Sequence, residues 1–156
     1  MTQWKMPPAA KVYEALSALA DGRVRITGPG RAEVDSSTRD KTYSVTWSDD
    51  GRQISSSDNA SIWQGYTGYP IIAVLLATGR IPYNEAIASQ LAGVPWHDLN
   101  ERFKRDYDAA VESVLQQIES RGGDRRAIEL QAEAIYRQLE ALGLTRGPRR
   151  APKAAP

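Results

Sequence analysis

Groups able to do chemistry are scarce in this chain. His97 is its only histidine and there is no cysteine, which excludes disulfides, thiolate metal sites and cysteine nucleophiles. His97 stands just before Asp98 at a helix start, where a lone histidine reads as a surface or capping neighbour and not as a base. The run Ser55-Ser56-Ser57 has neither an elbow motif nor a base beside it. Asp49 and Asp50 fall in a turn, where acids serve turn geometry, and with Asp58 they fix no coordination shell for a hard cation. Gly28-Pro29-Gly30 is a turn with no strand–loop–helix order behind it, so it gives no support to a phosphate cradle. No enzyme, metal or cofactor is expected.

Binding chemistry is better represented. Trp63, Tyr66 and Tyr69 crowd one glycine-punctuated loop. Six cations, Arg23, Arg25, Arg31, Arg39, Lys41 and Arg52, fall on or beside short β-like segments. They are the candidate nucleic-acid contacts, since Arg23 and Arg25 share a strand face by period two. The same six serve equally to solvate the outer face of a half-buried sheet. Net charge is +1, from 20 basic and 19 acidic residues. Four of the bases, Arg146, Arg149, Arg150 and Lys153, lie in the last eleven residues without an acid, so the remainder has 16 against 19, or −3. A duplex-binding surface needs a cation excess on one face, and the body does not advertise one.

The elements that must position these residues follow from periodicity. With 41% hydrophobic and 25% charged residues the composition is that of a globular protein, and the longest apolar run, Pro70 to Ala77, is too short to span a bilayer. The N-terminus lacks an apolar signal core, so cytoplasmic residence is the default expectation and no membrane partner is implied. Val12, Leu16 and Leu19 mark a first helix over 11–20, stopped at Gly22. Alternating segments at 23–27, 31–36, 41–47 and 52–57, separated by turns, predict about four strands in an antiparallel meander. Pro82 and the apolar pattern of 84–91 predict a helix, and Asp98 with Glu101 has capping-box spacing. Leu99 through Ile118 then read as one long helix. After the break at Arg121–Asp124, Ile128, Ala132, Ile135, Leu139 and Leu142 form a short heptad stripe. The class is α+β: one helix, the meander, an apolar helix, and a C-terminal helical hairpin. The expected organisation is an α+β module over 1–80, a helical extension over 81–144 with a long antiparallel helix pair, and a disordered basic tail over 145–156. The hairpin's stripes close on the sheet or on a second copy, which makes a homodimer through these helices one expected assembly.

One stretch carries a family resemblance. Tyr43-Ser44-Val45, a turn at Gly51, a strand ending in Ser55-Ser56-Ser57-Asp58, a loop, then Ile71-Ile72-Ala73-Val74-Leu75-Leu76 resembles the SWIM zinc finger over roughly residues 31–79. That family holds zinc with Cys-x-Cys at the end of the second strand and Cys-x-His before the apolar helix. Here the corresponding positions are Ser55, Ser57, Gly68 and Pro70, so all four ligands are lost and a tetrahedral structural zinc is excluded there. A module that loses its metal needs another crosslink. Trp63, Tyr66 and Tyr69 are expected to supply it by packing over the strand ends; any that stays exposed offers an interaction surface. The resemblance implies binding to DNA or proteins. The slightly acidic body favours a non-enzymatic module for protein–protein contact or self-association, with nucleic-acid binding through the basic sheet and tail as the alternative.

Overall fold

The computed structural model describes residues 2–147. Helix α1, Ala10–Ala20, is buried around its whole circumference from Ala10 to Ala18, because other helices pack on it from several sides. It touches α2 (Tyr69–Ala77), α3 (Glu85–Ala88), α5 (Tyr107–Ser120) and α6 (Arg125–Leu142). The sheet runs in the order β1 (Val24–Gly28), β2 (Arg31–Asp35), β3 (Thr42–Trp47), β4 (Gln53–Ser56) and β5 (Thr145–Arg146). The first four strands form the expected meander, with Ala32 opposite Val45 and Thr46 opposite Ser55. Helix α2 lies against β1 to β4 and α1, and Pro70 to Leu76 are all buried. That sandwiching explains an unbroken apolar run where a surface helix would alternate. Pro70 sits in the first turn of α2, where its missing N–H costs nothing.

The sheet has a fifth strand where the sequence places the start of a tail. Thr145 and Arg146 run parallel to Gln53 and Ile54, and the Gly147 N–H donates to the Ile54 carbonyl at 3.1 Å. The N-terminus closes over them. The Trp4 indole N–H donates to the Ile54 carbonyl at 2.9 Å, and the Arg146 guanidinium lies 4.7 Å from the Trp4 ring. The rest of the expected tail lies outside the described residues. A single core cluster runs from Trp4 to Leu144, so the boundary expected near residue 80 divides no packing.

Two helix boundaries differ from the sequence reading. The helix read over Leu99–Ile118 is two, α4 (Trp96–Arg102) and α5, broken where Lys104 and Arg105 adopt positive φ. Asp98 lies inside α4, whose N-cap is Pro95. The side-chain caps are elsewhere: Asn84 on α3, Asp106 on α5 and Asp124 on α6. The heptad stripe of α6 is consumed internally. Ile128, Ala132, Ile135 and Leu139 are buried in the shared core, against α1, α3 and α5, so self-association through that stripe would have to expose it. Among the described residues no helix is long and apolar enough to cross a membrane.

Candidate binding groove

The four positions matching the lost zinc ligands sit at the two ends of the loop between β4 and α2, and a carboxylate ties those ends together. Asp58, 5% exposed, accepts the Ser61 backbone N–H at 3.1 Å and the Ser61 hydroxyl at 2.8 Å. The Ser56 hydroxyl also donates to it. Ser61 Oγ in turn accepts the Gly68 N–H at 3.2 Å. Ser57 Oγ accepts the Ser44 N–H at 2.9 Å, and Ser55 is buried in β4. Gly68 has an ordinary φ of −71°, so its requirement is not conformational. A Cβ there would stand 2.2 Å from Asp58 Oδ2.

This corrects the role expected of the aromatics. Trp63 is 77% exposed and its neighbour Ile62 43%, so Trp63 does not pack over the strand ends. Both ride on a π-helical turn, Ala60–Gln64. Tyr66 and Tyr69 are half-buried. The buried carboxylate and two serines supply the crosslink, and the tryptophan is left free.

Below Trp63 the surface opens into a groove. Its outer part, about 430 Å³, is lined by Trp63, Tyr66 and Asp58, among others. Its inner part, about 650 Å³, is lined by Glu14, Arg23, Trp96, His97, Asn100 and Lys104, among others. Lys11, Tyr43, Tyr69, Arg105 and Tyr107 line both, so the two parts adjoin. The walls are α1, the sheet and the α4–α5 joint. Helix α4 is pinned there by Trp96, whose indole N–H donates to Ser17 Oγ at 2.8 Å, and by the His97 N–H donating to Ser37 Oγ at 3.1 Å.

The groove floor carries charges that an apolar helix would not otherwise spend. Lys11 and Glu14, both buried, pair at 3.2 Å, and the Asn100 side-chain amide donates to the same Glu14 oxygen at 3.2 Å. Lys11 Nζ also lies 4.4 Å from the Tyr107 ring centroid. Burial pulls the Lys11 pKa down, but Glu14, Tyr107 and Tyr66 outweigh it and the net shift is upward, so the ammonium stays charged. Arg23 is 1% exposed. Its guanidinium donates to the Asp35 carbonyl at 2.8 Å and faces the Tyr69 ring at 5.9 Å. Its Nε lies 3.4 Å from Asp21, close enough for charge attraction but misaligned, so that N–H has no hydrogen-bond partner. Burial raises the pKa of Tyr69, partly offset by Arg23, and burial followed by Asp58 raises that of Tyr43. Both phenols remain donors at neutral pH.

Lys104 and Arg105 complete the wall. Their φ values are 53° and 67°, a left-handed conformation that costs a side-chain-bearing residue of order 1 kcal/mol or more. The Arg105 N–H donates to the Asn100 carbonyl at 2.8 Å, the closing bond of a helix terminus where glycine is usual. Neither side chain has an ion-pair partner among the described residues. The left-handed pair ends α4 and turns the chain toward α5.

The six sequence-predicted cations do not form one patch. Arg23 is interior. Arg25 is held by Asp35 at 2.7 Å and Glu33 at 3.2 Å, and Arg39 lies 3.8 Å from Asp35. Arg31 and Arg52 are exposed at one end of the sheet and Lys41 at the other. Only Arg23 reaches the groove. Lys11, Lys104, Arg105 and Tyr107 were missed because nothing local marks them; Lys11 and Glu14, two charges on an otherwise apolar helix, are the one signal available. His97 lies at the rim, exposed, 3.5 Å from Glu101. Among the described residues no group of three or more His, Asp or Glu side chains is placed to hold a metal ion.

A family model described as "Uncharacterised conserved protein UCP014422" matches residues 4–145, a span that includes every groove residue. No curated protein and no solved structure matches the chain.

Proposed function

We propose that this chain, which belongs to the UCP014422 family, is a non-enzymatic binding module whose groove holds single-stranded nucleic acid. The observation that carries this reading is the pairing of an exposed Trp63 in the outer cavity with the unpaired Arg105 and Lys104 of the adjoining inner one. Single strands are bound by that combination, bases stacking on aromatic faces while cations track the phosphates. The scattered sheet cations give a duplex no landing surface. The order of strand, loop and apolar helix supports a SWIM-like module whose loop is closed by Asp58 instead of a metal.

Titration of labelled single- and double-stranded oligonucleotides at two salt concentrations tests the reading. Single strands should bind more tightly than about 10 μM at low salt, with affinity falling as salt rises. Failure of single strands to bind, or equal affinity for duplex, sinks it. The adjacent exposed pair Ile62 and Trp63 favours a second reading, a protein partner docking on the π-helical turn. In that case Trp63→Ala abolishes capture of the partner and leaves the protein without oligonucleotide affinity to lose.

A further inference from the structure

The two edges of the sheet are finished differently. At one, β5 is covered by the N-terminal segment: Gln3 bridges Thr145, and the Arg146 N–H donates to the Thr2 carbonyl at 2.8 Å. At the other, β1 pairs with β2 alone among the described strands. The phase of that pairing fixes which backbone groups are left over. The Asp35 N–H donates to the Arg23 carbonyl at 2.9 Å and Arg25 stands opposite Glu33, so Arg23 and Arg25 turn their backbone toward β2. Val24 and Ile26 turn theirs outward. Their side chains share the core face, opposite the buried Val34 and Ala32, yet Ile26 is 49% exposed. A proline, an inward-pointing charge or a covering segment usually guards such an edge. Val24–Gly28 has no proline and carries isoleucine where the inward charge would stand.

We propose that β1 is a dimerisation edge, pairing antiparallel with β1 of a second copy of this chain about a two-fold axis at Arg25. The strand is complementary to itself in that register. Val24 stands opposite the partner's Ile26 and exchanges two hydrogen bonds with it, and symmetry repeats the pair, so every outward N–H and C=O of these residues is used. The apolar pair falls on the core face and covers the exposed part of Ile26. On the other face Arg25 meets the partner's Arg25, a position where like charges repel. Each guanidinium is already held by Asp35 at 2.7 Å and Glu33 at 3.2 Å, so each copy brings one cation and two carboxylates to the axis. The register shift between Ile26 and Gly28 ends the regular ladder there, which keeps the contact small and closed by its two-fold.

The chain has no cysteine, so a single introduced thiol reports the register without background. Arg25→Cys sets two thiols across the axis in a non-hydrogen-bonded pair with Cα atoms about 4.5 Å apart, within disulfide reach. Thr27→Cys, also at an exposed position, leaves them four residues out of step, about 14 Å apart and beyond it. Mild oxidation of the full chain, read on non-reducing gels, should therefore cross-link Arg25→Cys at least about tenfold more than Thr27→Cys. Sedimentation equilibrium of the unaltered chain should show its mass rising from one chain toward two between about 10 μM and about 1 mM, as a small interface allows. Ile26→Lys should move that rise at least about tenfold higher in concentration. A chain that stays monomeric throughout overturns the proposal. Equal cross-linking of the two cysteine variants, or none, overturns the register, and a dimer indifferent to Ile26→Lys overturns the edge as its site. Should Ile26→Lys fail to fold, the cysteine pair still decides.

Discussion

The tie between Asp58 and Gly68 can be tested by a double-mutant cycle. Gly68→Ala adds one methyl at a position of ordinary φ, so in the absence of Asp58 only the Ser61 hydroxyl, 3.1 Å away on a rotatable side chain, has to give. With Asp58 present the new Cβ would lie 2.2 Å from Oδ2 and 3.0 Å from Cγ. The carboxylate must swing away, and doing so breaks its bonds from the Ser61 N–H and hydroxyl. Hydrogen bonds to charged groups contribute about 1.5–3 kcal/mol each, and donors left buried add a penalty. Gly68→Ala alone is therefore expected to cost about 3 kcal/mol, and Asp58→Ala, which orphans the same donors, about 3 kcal/mol. The double variant breaks the same bonds once, and the methyl then fills space vacated by the carboxylate. Its loss should be near that of either single variant, which gives a coupling of about 2 to 3 kcal/mol, far beyond the ~0.5 kcal/mol scatter of independent sites. Urea unfolding followed by circular dichroism reads all four corners of the cycle. Losses that add within that scatter, or a Gly68→Ala variant as stable as the parent, would refute the carboxylate as the loop's crosslink.

Trp63→Ala should leave stability within about 0.5 kcal/mol, as an exposed residue does, while weakening single-strand affinity by about 1–3 kcal/mol; a change in melting with no change in affinity would reverse its assigned role. Arg105→Gly relieves left-handed strain and should raise stability by about 1 kcal/mol, measured by the same urea transition, and a loss would mean the conformation is not strained. Hydrogen bonds from Arg25 hold the Asp35 carboxyl down at about 2. Its folded value is thus below its unfolded value near 3.9, so its contribution to stability is complete above that value and is lost as pH falls toward 2. Arg25→Gln should flatten the decline in stability between pH 5 and 2 in acid-titrated unfolding curves, and an unchanged slope would contradict the pairing. Arg146→Ala removes the guanidinium over Trp4 and should cost about 1 kcal/mol, with no cost expected if the fifth strand contributes nothing.

The meander was legible because its signals are local. Alternation in Lys41–Trp47 and turns at Gly28-Pro29-Gly30 and Asp49-Asp50-Gly51 place the strands to within a residue or two. The break between α4 and α5 was not, since Phe103-Lys104-Arg105 contains no glycine or proline; tertiary anchoring by Trp96 and a capping Asp106 override an apolar period that runs straight through. The fifth strand was hidden for a related reason. Thr145 and Arg146 lie among glycine, arginine and proline residues, and two residues carry no periodicity. Their pairing depends on a partner 92 positions away, Gln53. The groove was hidden most completely. Lys11, Tyr43, Tyr69 and Tyr107 come from four separate elements, and no spacing in the chain brings them together before the fold does.

Closing a loop with a metal consumes side chains, and closing it with Asp58 changes which ones remain. In a four-ligand finger the residues at both ends of the loop are spent on the ion, and neighbouring aromatics can only add packing. Here one carboxylate, two hydroxyls and backbone N–H groups make the closure. The outer face is then free to carry Ile62 and Trp63 on a π-helical turn, a form that recurs at functional sites. Asp58 itself lines the outer cavity beside Trp63, so the group that fixes the loop also fixes where the indole stands. Stability and recognition thus use different atoms of the same few residues. Opening the tie by Gly68→Ala should cost ligand affinity without removing any side chain that lines the groove.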